Sequence, residues 1–247
     1  MKQFYTAATN GLLLTGRGVI LVASTELAAA YFITADSPIS EQLLMRGVFT
    51  LILAILLLPE PELGKRPGVS LPISWSLLSG ASVFVGLMWM PGISTSLSTA
   101  LLLAMGTAAL VLLFASLSLV LAYHFNDRRR ASRFTLATLL LCLTLPLWAA
   151  PVAALYGSSK WLVDTVVALC PVSYLAALAK IDYLRGNWLY LHAPYGSLRF
   201  DYPDPVRATF LIVILSALTS ILGRFQRLGL RPNKLPSVLS EPLEIKP

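Results

Sequence analysis

Hydrophobic residues come in long runs along this chain, and short polar or charged stretches separate the runs. Runs that approach the roughly 20 apolar residues needed to cross a bilayer as a helix predict membrane spans. The first covers residues 18–35, "GVILVASTELAAAYFITA", and is interrupted by Glu26. The second, 43–58, contains Arg46 and stops at Pro59. The third, 73–90, breaks at "MPGIS", and the fourth, 97–123, is the longest and least interrupted. A fifth, 134–156, carries Pro146 and Pro151, which a span tolerates when neighbouring helices, hydroxyls or water take the freed carbonyls. After "GSSK" come an apolar stretch at 161–179 and a last run at 208–222. The small residues Ala28 to Ala30 would suit a signal-peptide cleavage site, but the apolar stretch before them is short and holds Glu26, so a retained first span is the expectation.

Whether 161–179 crosses is decided by charge. Lys and Arg accumulate in cytoplasmic loops. The cluster Arg128, Arg129, Arg130 and Arg133 should therefore share a side with the tail bearing Arg224, Arg227, Arg231 and Lys234. An even number of crossings must lie between them, so one of the three intervening runs does not cross. The 161–179 run is the weakest, because it carries Asp164, has Pro171 near its centre and lacks a cytoplasmic kind of basic anchor beyond it. The reading is then an all-α, polytopic membrane protein of about six transmembrane helices. Both termini are cytoplasmic, and a re-entrant or interfacial helical element lies in an external segment, 157–207, before the last span. Residues 1–223 form one transmembrane domain; 224–247 is a loosely ordered tail. On a helical wheel Tyr174, Ala177, Leu178, Ile181 and Trp188 share one side, with Ser173, Lys180 and Asn187 opposite. Arg185 falls on the apolar side, where its head must snorkel.

Composition agrees. Of 247 residues 56% are hydrophobic and 13% charged, against about 25% charged in soluble domains. The net charge of +7 comes from basic residues clustered between apolar runs, which indicates topology rather than nucleic-acid binding. Cys142 and Cys170 sit in apolar runs as small hydrophobes, and no metal-type Cys/His spacing is present.

Candidate chemistry is sparse. His124 and His192 belong to no nucleophile or metalloprotease pattern, no phosphate-loop motif is present, and neither an enzyme nor a cofactor is expected. Glu26 and Arg46 are the informative pair: ionisable residues in spans tend to be buried and paired, so they are read as an intramembrane ion pair or part of a translocation path. Asp164, Pro171, Tyr174, Asp182, Arg185 and Trp188 mark the external helical element. The arginine cluster at 128–133 is the cytoplasmic anchor. Small residues along the fourth run, including Ala104, Gly106, Ala108 and Ser116, allow close helix approach.

The segment "CPVSYLAALAKIDYLRG", at 170–186, resembles the proline-led external helix that precedes the last span in permease subunits of ABC-2-type transporters, with Cys170 where Asn is usual. The span count and the shared side of the termini resemble that family too. Two features depart from it. The opening "MKQFYTAATNGLLLTGRG" is short and nearly uncharged, and the 59–72 loop is brief and proline-broken. The resemblance implies an inner-membrane permease acting as a homodimer or a heterodimer with a related permease. It also implies a separate cytoplasmic ATPase subunit. The alternative is a non-transporting accessory or assembly protein that binds a partner through the aromatic segment 188–204.

Overall fold

The computed structural model describes residues 16–17, 19–25, 27, 39–58, 70–88, 96–155, 160–185 and 200–229. Among them the fold is all-α, with no strand. The helices are α1 (Ile39–Leu56), α2 (Ser70–Met88), α3 (Leu97–Phe125), α4 (Arg128–Leu143), α5 (Leu145–Trp148), α6 (Ala150–Leu155), α7 (Lys160–Leu169), α8 (Pro171–Ala179) and α9 (Pro205–Gly229). A 3₁₀ turn, Tyr183–Arg185, follows α8, and residues 19–25 are helical as well.

α3 is the axle of the bundle. Its 29 residues extend about 43 Å at 1.5 Å per residue, and α1, α2, α4, α8 and α9 all pack on it. Helices in lipid gain nothing by hiding apolar surface from water, so close packing and interhelical hydrogen bonds must hold them. Gly80 of α2 provides the first of these: a Cβ there would meet the Ala104 carbonyl oxygen at 2.8 Å and the Ala108 Cβ at 3.0 Å. On α1, Gly47 faces Leu103, Thr107 and Leu175. α9 lies along α3 through Ser116 and Ser220, whose hydroxyls are 3.0 Å apart, and through Gly223 against Val120. The offset between these partners stays nearly constant, so α3 and α9 run parallel. α4 returns antiparallel after the two-residue link Asn126–Asp127.

Buried hydroxyls in the helices bond mostly to their own backbone one turn back, as with Ser79 to Trp75 O, Thr107 to Leu103 O and Thr135 to Ala131 O, each within 2.9 Å. This satisfies them without recruiting a neighbour. Trp75 does the opposite. Its indole N–H donates to the Ala54 carbonyl at 2.9 Å, one of the last four carbonyls of α1, which have no acceptor role inside their own helix.

Three helices among the described residues are long and apolar enough to cross a membrane: Leu71–Met88, Leu97–Phe125 and Pro205–Gly223; the bent pair α7–α8 would make a fourth. That is fewer than the count expected from the hydrophobic runs. Most of the first run, Glu26 included, lies outside the described residues. α1 carries Glu41 and Arg46 in its first two turns. The fifth run, expected as one span with two prolines, is divided among α4, α5 and α6. The break after Leu143 is well satisfied: Thr144 Oγ1 and N cover the Leu140 carbonyl (2.8 and 3.0 Å), Trp148 Nε1 covers Leu141 O (3.0 Å) and the Cys170 thiol reaches Leu143 O (3.7 Å). Pro146, in the first turn of α5, costs nothing there because that N–H has no helical partner.

Candidate functional site

The α7–α8 pair is the most distinctive local structure. The two helices meet at 87°. Pro171 occupies the first turn of α8, and Cys170 before it is extended (φ −84°, ψ 119°). Proline pushes the residue before it out of the helical region, so the bend is written into the Cys-Pro pair. α8 stops at Ala179 because Lys180 turns left-handed (φ 58°). Its N–H and that of Ile181 close back on Ala177 and Ala176 (3.2 and 2.9 Å), the usual helix-ending pattern. The wheel that continued this helix to Trp188 is therefore corrected at Lys180, beyond which Ile181 belongs to a new segment. Ser173, assigned to the polar side, is fully buried.

α8 is wedged into the bundle near the start of α3. A Cβ on Gly106 would meet Leu178 Cδ1 at 2.2 Å and the Tyr174 ring at 3.3 Å. A larger residue at 106 would require the Leu178 side chain to move aside. Tyr174, 2% exposed, bonds to Thr209 Oγ1 at 2.6 Å. Since that Thr209 hydroxyl donates to Pro205 O, the tyrosine O–H is the donor to Thr209. Tyr174→Phe is expected to cost about 0.6–1.7 kcal/mol, the range of interhelical hydrogen bonds in membranes. A lowered thermal unfolding midpoint in mild detergent, with α-helical content unchanged, would register the loss.

On the other side of the bend, Val163, Val167, Leu184 and Phe200 form a small core of their own. Polar bonds fasten it. Asp164 accepts from the Asp201 backbone N–H (2.8 Å), and Tyr202 donates to Asp182 (2.8 Å) while accepting from Leu184 N (3.2 Å). Lys160 pairs with Asp201, and that hydrogen bond raises the lysine pKa above its ordinary value. Tyr183 lies 2.9 Å from Ser173 Oγ and 3.7 Å from Cys170 Sγ. Burial, and secondarily the Cys170 thiol, push its phenol far above the usual tyrosine range, so it stays a neutral hydrogen-bonding group.

The sequence-predicted residues therefore separate. Asp164, Pro171, Tyr174 and Asp182 come together around the bend. Of Arg185 only the backbone, ending the 3₁₀ turn, is described, and Trp188 lies outside the described residues. Arg46 is buried at 8% exposure on α1; its expected pairing with Glu26 falls outside the described residues. Arg128, Arg129, Arg130 and Arg133 open α4, where Asp127 accepts from the N–H groups of Arg129 and Arg130 (2.9 and 3.3 Å) and pairs with Arg130 at 3.2 Å. Among the described residues no group of His, Cys, Asp and Glu could hold a metal ion.

Set against protein-family models, curated proteins and solved structures, the chain matches none. Its function must be read from its own geometry. Trp75 and Gly80 are not singled out in the sequence; the one signal there for Gly80 is its place among small residues in an apolar run.

Proposed function

We propose that this chain is the membrane-embedded permease subunit of an ABC-type transporter of the ABC-2 kind, working with a separate cytoplasmic ATPase. The observation that carries this reading is the bent α7–α8 pair. It is inserted where α3 and α9 begin and lies between the fifth and the last hydrophobic runs. The bundle's directions support six crossings, counted as the first run, α1, α2, α3, the broken α4–α6 and α9. α3 and α9 run parallel, and α4 runs back. Gly47 of α1 faces Leu103 and Thr107 of α3, and the Ala54 carbonyl meets Trp75 of α2. On this reading the chain enters and leaves the α7–α8 pair at one end of the bundle, and the pair dips in without crossing. The basic ends of α3–α4 and α9 then face the cytoplasm, as the charge rule favours for a bacterial inner membrane. The subunit acts as a homodimer or a heterodimer with a related permease.

Two measurements test the reading in sequence. Cysteines introduced at Lys160 and at Arg129, both exposed, are treated in intact cells with a membrane-impermeant maleimide. Position 160 is expected to label and 129 to be protected; labelling at both would remove the six-crossing topology. The tagged chain, purified in mild detergent, should then retain a stoichiometric nucleotide-binding ATPase whose ATP hydrolysis depends on it. Correct topology with no such ATPase would leave a membrane accessory protein instead.

A further inference from the structure

The outward face of α4 combines charge and apolar surface in a way that the transporter reading does not use. Its exposed positions are Arg129, Arg130, Arg133, Phe134, Ala137, Leu140 and Leu141. At 3.6 residues per turn these fall within one arc of about 140°, while Ala131, Thr135 and Leu139 face inward and are buried. The face has two parts in order along the helix. Three arginines occupy the first two turns, and from Phe134 onward the same face is apolar, with Phe134, Leu140 and Leu141 exposed by 54%, 45% and 56%. Phe134 is held in place by stacking on Phe125, with ring centroids 5.0 Å apart.

The dimensions match one leaflet. Arg129 and Leu141 are about 18 Å apart along the axis at 1.5 Å per residue, close to the roughly 15 Å half-thickness of a bilayer's hydrocarbon core. Helix N–H groups are not what recognises an anion here, because Asp127 already occupies those of Arg129 and Arg130. The arginine side chains are. Asp127 neutralises only Arg130, and among the described residues no carboxylate pairs with Arg129 or Arg133. α9, running parallel to α3, brings the backbone of Arg224 and Arg227 to the same end of the bundle.

We infer that this face of α4 is a binding site for an anionic phospholipid. Arg129 and Arg133 bind the headgroup phosphate, and an acyl chain lies along Phe134, Ala137, Leu140 and Leu141. Guanidinium groups suit phosphate because their planar fork donates two parallel hydrogen bonds. The inference needs the chain to be in a membrane, and stands whether or not the chain transports anything.

The full-length protein is reconstituted in nanodiscs of phosphatidylcholine doped with phosphatidylglycerol, and the lipids it keeps on transfer to detergent are counted by native mass spectrometry. Phosphatidylglycerol is expected to be enriched over phosphatidylcholine. The enrichment should fall about fivefold for each of Arg129→Gln and Arg133→Gln, from the attraction of one basic residue to an anionic surface. Arg133→Lys should keep most of it, and Arg207→Gln, at the opposite end, should change nothing. Circular dichroism on each variant confirms folding, which exposed positions should not disturb. Raising ionic strength should weaken retention through screening. Three results would overturn the inference: equal retention of both lipids, glutamine variants that keep phosphatidylglycerol as the parent does, and displacement of the lipid by inorganic phosphate alone. A glutamine variant that keeps its lipid and loses a bound cytoplasmic protein would make the face a protein dock and overturn it too.

Discussion

Gly80→Leu is expected to separate α2 from α3 and to yield a protein that inserts but does not hold its bundle. A Cβ at position 80 would sit 2.8 Å from the Ala104 carbonyl oxygen, which is backbone and cannot turn aside. Even alanine must therefore push the helices apart, at about 1–3 kcal/mol for overpacking, and leucine adds three more heavy atoms in the same gap. The site gives the prediction an internal control. At Gly106 the closest obstacle is the tip of Leu178, so Leu178→Ala should partly rescue Gly106→Ala. No substitution of Ala104 can rescue Gly80→Ala, because the obstructing atom survives every side-chain change. Gly16, with nothing within 4 Å, should accept alanine without loss. Thermal unfolding in detergent, followed by helical signal and by resistance to protease, reads each of these variants. Equal stability of Gly80→Leu and the parent would mean that α2 and α3 do not pack through this contact.

Trp75 carries the second large effect. The ring is fully buried, and its N–H closes the end of α1 through Ala54 O. Two substitutions separate these roles. Trp75→Phe keeps most of the packing and strands the carbonyl, for a loss of about 1–2 kcal/mol in a membrane setting. Trp75→Ala opens a cavity as well, and losses of about 3–5 kcal/mol accompany such deletions in packed cores. The ordering alanine worse than phenylalanine worse than parent is the expected outcome in a thermal or denaturant titration. A phenylalanine variant as stable as the parent would show that the Ala54 carbonyl finds another donor and that the indole N–H is dispensable.

How far the sequence could be read depends on which physical effect governs each element. Long apolar runs, of 18 residues at 73–90, 27 at 97–123 and 15 at 208–222, marked α2, α3 and α9. The bend at Cys170–Pro171 was also legible, since proline acts on its neighbour locally. The fifth run was not. Pro146 and Pro151 are compatible with a kinked span and with a broken one, and the difference lies in where Leu140, Leu141 and Leu143 find donors. One of those donors, Cys170, is 27 residues away from its acceptor. Lys180 failed for a related reason. A left-handed lysine is unfavourable by itself, and the closing bonds from Lys180 N and Ile181 N that accompany it leave no mark on a wheel. Of the candidate site, the residues around the bend were named from sequence, but Ser173 was placed on the wrong side and Tyr183 was given no partner. The arginines at 128–133 were read as a topological mark; the alignment of their exposed members with Phe134, Leu140 and Leu141 appears once the buried face of α4 is known.

α9 stands apart from the rest of the bundle in one respect. Only 11% of its spanning window is buried, and its ties to α3 and α8 run through Ser220, Gly223 and Thr209. Among the described residues, every fully buried member of the main apolar cluster precedes residue 205. During synthesis, then, those fully buried residues are all joined before α9 leaves the ribosome. Among the described residues, α9 meets that interior at its edge, through Ala208 and Ile212.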